Sequence, residues 1–259
     1  GTLLALGLDA KGHVALALEA PAGPHDPLGP RLFDVWLQIG ADNTTTFYCP
    51  EVEFGQGVTT GLAVLIAEEL EPDWSKFVVV QSGTDPIYAN PIAGRIATIG
   101  SSSTRGRFDQ MRRLGAMTRE MLKAAAAVQW NVPVAQLTTA NGVVTHAASK
   151  RSASYGALSA AAAKQPVPAE TLPLKTAGQW KMIGRSRPRM DTALKCTGRA
   201  KYANDLRLPN MLFAEVLRSP VLGGSVKSVD GTAAKARKGV KADRKSTRLN
   251  SSHSQQSRM

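Results

Sequence analysis

Apolar residues change their period several times along the chain. From Phe33 to Ile39, Phe33, Val35, Leu37 and Ile39 alternate with Asp34, Trp36 and Gln38, the two-residue period of a half-buried strand. Asp42-Asn43 has turn chemistry and Thr44 to Cys49 is β-rich, so the two runs predict a hairpin. Past Gly57 the period lengthens. Leu62, Leu65, Ile66 and Leu70 fall on one stripe of a helix facing a core. Phe77 to Gln81 predicts a buried strand, and Leu114, Met117, Met121, Ala125 and Val128 recur along a long helix over roughly 108–130, closed by Pro133. Leu137 to His146, with Asn141-Gly142 at its centre, predicts a hairpin with a tight two-residue loop. A short Ala-rich helix and then a Pro-punctuated linker occupy Lys150 to Pro173. Farther on, Leu212 to Leu217 predicts a strand and Val221 to Val226 is glycine-rich. Residues 1–31, with Pro21, Pro24, Pro27 and Pro30, read as an irregular lead-in. The chain is read as α+β, mixed sheets with packed helices.

The stretch with the most chemistry is Glu51-Val52-Glu53-Phe54-Gly55-Gln56-Gly57-Val58, which opens the first predicted helix. Gly55 and Gly57 let the backbone turn sharply and approach a ligand without a Cβ in the way. The helix start behind them offers free N–H groups and a positive dipole end. Alone, Gly-Gln-Gly fits a plain strand-to-helix turn as well as a ligand loop. A second such element is Gly100-Ser101-Ser102-Ser103-Thr104 ahead of the long helix. An isolated serine turn of this kind is an ordinary helix cap. After a Gly-Gln-Gly loop, its hydroxyls and N–H groups also suit a phosphate or a heterocycle edge.

The motifs from Pro50 to Val58, then Ile66 to Leu70, Asp85 to Pro91 and Gly100 to Gly106, resemble the molybdenum-binding large subunit of the xanthine dehydrogenase and aldehyde oxidase family. The nearest branch is the isoquinoline 1-oxidoreductase beta-subunit type. Ile183-Gly184, Pro188 to Asp191, Lys195, Thr197-Gly198 and Ala200 to Tyr202 resemble the opening of that family's a/b hammerhead domain. The resemblance covers roughly residues 32–241. It implies a partial molybdopterin-binding domain at 32–165, a linker at 166–182 and the start of the hammerhead at 183–242.

It further implies that Gly55, Gln56 and Gly57, with Gly100, Ser101, Ser102, Ser103 and Thr104, contact a molybdenum–molybdopterin cofactor, the cytosine dinucleotide being one form. Phe54 stands where the family commonly has methionine. No catalytic residue is implied here, because the family's general-base glutamate belongs to a motif beyond residue 259. The implied substrate is an aldehyde or N-heterocycle, and the implied electron route is a small [2Fe–2S] subunit. Relatives with twin-arginine export signals lean the location toward the periplasm, the cytoplasm being the alternative. Gly1 to Leu8 reads as a signal-peptide remnant or a short strand.

Composition narrows the rivals. At 259 residues and 43% hydrophobic content, one large or two modest domains fit. Two cysteines, Cys49 and Cys196, without metal-type spacing supply no iron–sulfur ligand set of their own. No apolar run is long enough for a bilayer span. The formal charge is +12. Setting aside 243–259 leaves 28 basic and 19 acidic residues, a net of +9, scattered and poor in aromatics, which argues against a nucleic-acid surface. The segment from Asp243 onward resembles one reading frame of a short-read sequencing adapter, and its composition reads as disordered. On that reading the chain is a fragment. Glu51, Glu53, Glu68 and Glu69 read as surface charges or structural partners, and the four histidines form no triad or metal set. The rival from another class is a non-enzymatic basic binding module. A P-loop reading fails for want of Gly-Lys-Ser/Thr.

Overall fold

A computed structural model describes residues 4–8, 14–16, 36–169, 171–214, 219–225 and 227–241. Within the lead-in expected to be irregular at 1–31, Leu4–Leu8 and Val14–Leu16 are strands; residues 17–35 and the segment from 242 onward lie outside the described residues. The chain divides into two compact units, Gly1–Ala200 and Lys201–Met259.

In the first unit β1 (Leu4–Leu8), β2 (Val14–Leu16), β3 (Leu37–Ile39), β4 (Thr45–Cys49) and β5 (Phe77–Gln81) form a sheet in the order β2-β1-β3-β4-β5. β3 and β4 pair antiparallel, Leu37 opposite Phe47, as the hairpin pattern predicted. β4 and β5 pair parallel, Thr45 beside Phe77, and the connection between them is α1 (Val58–Leu70). The Gly55–Gly57 turn therefore sits at the carboxyl end of a strand, where open sheets that contain such crossovers place ligands. β5 departs from its expected burial: Phe77 is buried, while Val78 and Val80 are 43% and 41% exposed. Among the described strands it lies at the sheet edge, paired on one side only.

Leu62, Leu65, Ile66 and Leu70 on α1 are all buried, as their spacing predicted. Glu68 and Glu69 are buried as well, at 1% and 0% exposure, so they are not surface charges. Their partners are described below. α2 (Ser102–Trp130) packs along α1, and Gly115 makes the crossing close: a Cβ there would lie 2.3 Å from the Ile66 carbonyl oxygen. The helix begins six residues before the sequence suggests. Ser102 to Gly106 are mostly weak helix formers, but tertiary contacts decide. A Cβ at Gly106 would come within 3.2 Å of Asn90 Oδ1 and Ile92 Cγ1.

β6 (Leu137–Ala140), β7 (Val143–His146) and β8 (Arg151–Ser154) make a second, antiparallel sheet. Asn141 and Gly142 take positive φ of 51° and 73°, as a two-residue type I′ loop requires. α3 (Tyr155–Ala162) follows, capped by Ser154. The first unit ends with α4 (Thr192–Cys196). The second contains α5 (Thr232–Lys235) and a 3-10 turn at Ala203–Asp205. Residues 212–214 are not in a strand, and 215–217 of that expected strand lie outside the described residues. No described helix is long and apolar enough to cross a membrane.

Candidate functional site

The Glu51–Gly57 segment leaves β4 and has two jobs for its acids. Glu51 is 1% exposed and is the hub of a buried network. Its Oε1 accepts from Arg107 Nε at 2.7 Å and Asn90 Nδ2 at 3.1 Å. Its Oε2 accepts from the hydroxyls of Ser103 at 2.8 Å and Thr98 at 2.9 Å. Burial alone would push this carboxyl up, but hydrogen bonds from Arg107, Ser103 and Asn90 outweigh it and hold it below the usual range. Val52 N–H in turn donates to Thr98 Oγ1 at 2.9 Å. One carboxylate thus ties the end of β4 to the first turn of α2.

Glu53 serves the start of α1. It accepts from the backbone N–H of Gly55 (2.8 Å), Gly57 (3.1 Å) and Thr59 (3.3 Å), and from the Thr59 hydroxyl. The α1 N-terminus expected to await an anion is already occupied by the chain's own carboxylate. The turn itself needs its glycines, with φ of 118° at Gly55 and 81° at Gly57. Gln56 braces it: Nε2 donates to Val52 O at 2.7 Å, and Oε1 accepts from Phe54 N at 2.8 Å. An amide has two N–H groups and two lone pairs on its oxygen. One of each remains for a ligand.

These elements line an open cavity of about 530 Å³. Gln56, Gly57, Gly100, Ser101, Ser103 and Thr104, six of the eight residues expected at a site, line it together. The other two do not line it. Gly55 shapes the turn, and Ser102 is buried with its hydroxyl donating to Ile99 O at 2.6 Å. Ser101 occupies the cap position of α2 with φ 53°, but its side chain makes no cap hydrogen bond, unlike an ordinary N-cap serine.

Apart from Phe54 and Ile99, which flank the two turns, the lining includes Thr98, Val58 and Gly61, and these three escaped the sequence reading. Gly61 lies inside α1, where glycine costs about 1 kcal/mol relative to alanine. A Cβ there would meet nothing, so close packing is not the reason for it. A mid-helix glycine with no neighbour to accommodate was the available signal. At Gly100 the space a Cβ would fill is open too, but there a φ of 58° already calls for glycine.

Protonation fixes what the walls offer. Ionised Glu51 can only accept, so Thr98 and Ser103 must point their protons at it and away from the cavity. Toward a ligand they can then only accept, and the Thr98 oxygen, which already takes the Val52 N–H, has one lone pair left. Together with one N–H and one lone pair from Gln56, the uncapped start of α2 and flat glycine surfaces, the wall offers both donors and acceptors to a planar heterocycle edge. Among the described residues no group of three or more His, Cys, Asp or Glu could hold a metal ion.

Glu68 and Glu69 have structural employment. The N–H groups of Lys181, Met182 and Ile183 donate to Glu68, between 2.7 and 3.1 Å. Glu69 pairs with Arg112 and accepts from Lys175 N–H at 3.1 Å.

Comparison with known proteins identifies the family. The chain is 37% identical to the beta subunit of isoquinoline 1-oxidoreductase from Brevundimonas diminuta, over 80% of this chain and 31% of that one. It is 33% identical to a membrane-bound aldehyde dehydrogenase (pyrroloquinoline-quinone) of Gluconacetobacter polyoxogenes, over 79% of this chain and 26% of that protein. It is 29% identical to the B subunit of nicotinate dehydrogenase from Pseudomonas putida, over 83% and 18%. It therefore spans about a third or less of each of these relatives. Residues 18–203 match a family defined by its ligand, and both walls of the cavity fall inside that range. The chain belongs to the molybdopterin cofactor-binding domain family.

Proposed function

We propose that this chain is the cofactor-holding part of a molybdenum hydroxylase large subunit, whose parent enzyme oxidises an aldehyde or N-heterocycle with oxygen taken from water. The observation that carries the reading is that the Gly-Gln-Gly turn and the α2 hydroxyl turn converge on one cavity. Its walls suit the pterin. Gly57, Gly61 and Gly100 leave room for a flat ring, Gln56 offers a donor and an acceptor, and Thr98 and Ser103 offer acceptors to ring or amino N–H groups.

When bound, the molybdenum centre supplies the two-electron redox chemistry. The residues of this chain bind the organic part of the cofactor, orient it and close one wall around it. The substrate class rests on the isoquinoline, aldehyde and nicotinate in the relatives' names. A separate [2Fe–2S] partner is part of the same proposal, on the family resemblance. Two relatives are themselves named as subunits. The cytosine dinucleotide form and a periplasmic location complete the proposal on family resemblance alone.

The test is Gln56→Ala in the full-length enzyme. Molybdenum and pterin per protein should fall well below wild type, because a buried donor and acceptor on the ligand lose their partner at about 1–3 kcal/mol. The urea midpoint of the cofactor-free protein should stay put. Full occupancy in the mutant would reduce Gln56 to a turn residue and overturn the reading.

A further inference from the structure

The Arg189-Met190-Asp191 motif and Lys195 have no part in the cavity, yet their contacts lead back to it. Between Lys175 and Met190 the chain returns along α1 as an antiparallel strap. At the C-terminal end of the helix Lys175 Nζ pairs with Glu71 at 2.8 Å. The N–H groups of residues 181–183 then close on Glu68. Nearer the N-terminus, Met190 N–H donates to Thr60 Oγ1 at 3.1 Å.

The strap finishes on the Gly-Gln-Gly turn. Arg189 Nη1 donates to the Gly55 carbonyl at 2.7 Å, and Nη2 donates to Glu53 Oε1 at 2.9 Å. The guanidinium is itself aimed: Nε and Nη2 donate to Asp191 at 3.0 and 2.9 Å, and Lys195 Nζ pairs with Asp191 and lies 3.6 Å from Glu53. The group lies over Gly57, where a Cβ would sit 4.0 Å from the Arg189 Cζ and Nε atoms.

We propose that Arg189 is a positioning residue for the cavity, clamping the Gly55–Gly57 turn from outside so that Gln56 faces the ligand. The inference rests on reading that cavity as the cofactor site. Two glycines at positive φ leave Gln56 as the one side chain inside the turn that braces it, and Gly55 and Gln56 are exposed. Its shape depends on hydrogen bonds. Those outside the Gln56 amide converge on Glu53 and Arg189. Arginine suits the task because its planar fork reaches the Gly55 carbonyl and the Glu53 carboxylate together, which a lysine ammonium does less well. At 35% exposure the ion pair adds little to global stability, so the effect should be local to the turn.

The experiment uses the full-length enzyme with Arg189→Met, Arg189→Lys, Glu53→Gln and the Glu53→Gln/Arg189→Met pair. Three quantities are read: amide hydrogen exchange in the cofactor-free protein, the rate of molybdopterin loss from the loaded protein, and Tm. In Arg189→Met, exchange at Gly55, Gly57 and Thr59 should rise about tenfold, as loss of charge-assisted hydrogen bonds implies. Amides of the β6–β7 hairpin and the Tm should hold their wild-type values. Cofactor should be lost several-fold faster, Arg189→Lys should fall between, and the double variant should be no worse than the more affected single one, since both residues act through one network.

Unchanged exchange at the turn in Arg189→Met would overturn the clamp. So would an equal rise at the turn and in the β6–β7 hairpin, which makes Arg189 a general fold contact. Should Arg189→Met fail to fold, Arg189→Lys gives the same comparison. If the wild-type protein retains no molybdopterin while exchange in Arg189→Met rises at the turn alone, the clamp stands and the cofactor reading falls.

Discussion

At Glu51 burial and charge pull in opposite directions. A carboxylate at 1% exposure carries a large desolvation cost, offset here by Arg107, which is equally buried and 2.7 Å away. Removing one partner of such a pair leaves the other uncompensated. Glu51→Ala should therefore lower stability by about 3–5 kcal/mol, read from urea denaturation, with Ser103 and Thr98 losing their shared acceptor as well. A loss below about 1 kcal/mol would mean that water reaches Arg107 and that the network is not dry. The sequence hid this residue. Glutamate is seldom buried unless paired, and its partners Asn90, Thr98 and Arg107 lie 39 to 56 positions away. Gln56 and the 100–104 turn were legible for the opposite reason: glycines and hydroxyls in short runs mark a turn locally, before any tertiary contact is known.

Among the elements, α1 shows how packing and ligand chemistry share one helix. Its apolar stripe could be read from spacing alone, as could the Asn141-Gly142 hairpin, because both follow from local periodicity. The start of α2 and the exposure of β5 could not, since Gly106 fits against Asn90 and Ile92 and β5 ends a sheet assembled from distant strands. Two glycines near the α1–α2 pair make opposite predictions. Gly115→Ala drives a methyl into the Ile66 carbonyl oxygen, a backbone atom that cannot swing aside. It should destabilise by about 1–3 kcal/mol, the usual cost of overpacking. Gly61→Ala meets nothing and removes a helix penalty, so the cofactor-free protein should gain about 0.5–1 kcal/mol. The same methyl enters the cavity wall, so molybdopterin content should fall. Calorimetry on both variants decides. A Gly61→Ala protein that is less stable without cofactor would show that the space above Gly61 is filled.

For the first unit as a whole, acid is the common threat to its long-range ties. Glu51 fastens β4 to α2, Glu53 holds the turn and Arg189, and Glu68 and Glu71 hold the strap. At each of the four, burial would raise the carboxyl, but hydrogen bonds outweigh it and the folded-state pKa lies below the ordinary 4.5. The donors are mainly Arg107 and Ser103 for Glu51, backbone N–H groups for Glu53 and Glu68, and Lys175 and Thr139 for Glu71. The sign follows from linkage. A depressed folded-state pKa means that the unfolded chain binds more protons as pH falls, so the stabilisation is complete above 4.5 and drains away as pH drops through the folded values. Stability should be nearly flat from about pH 6 to 8 and fall steeply below 4.5. Because all four groups connect to α1 or to the segment entering it, the strap and the cavity should be lost in one transition. Urea midpoints across this pH range, followed by Trp180 fluorescence for the strap and by amide exchange at Gly57 for the turn, provide the check. Trp180 belongs to the strap through its indole N–H, which donates to the Lys175 carbonyl at 3.3 Å. Two separate acid transitions would show that strap and turn are independent, and would weaken the case that Arg189 couples them.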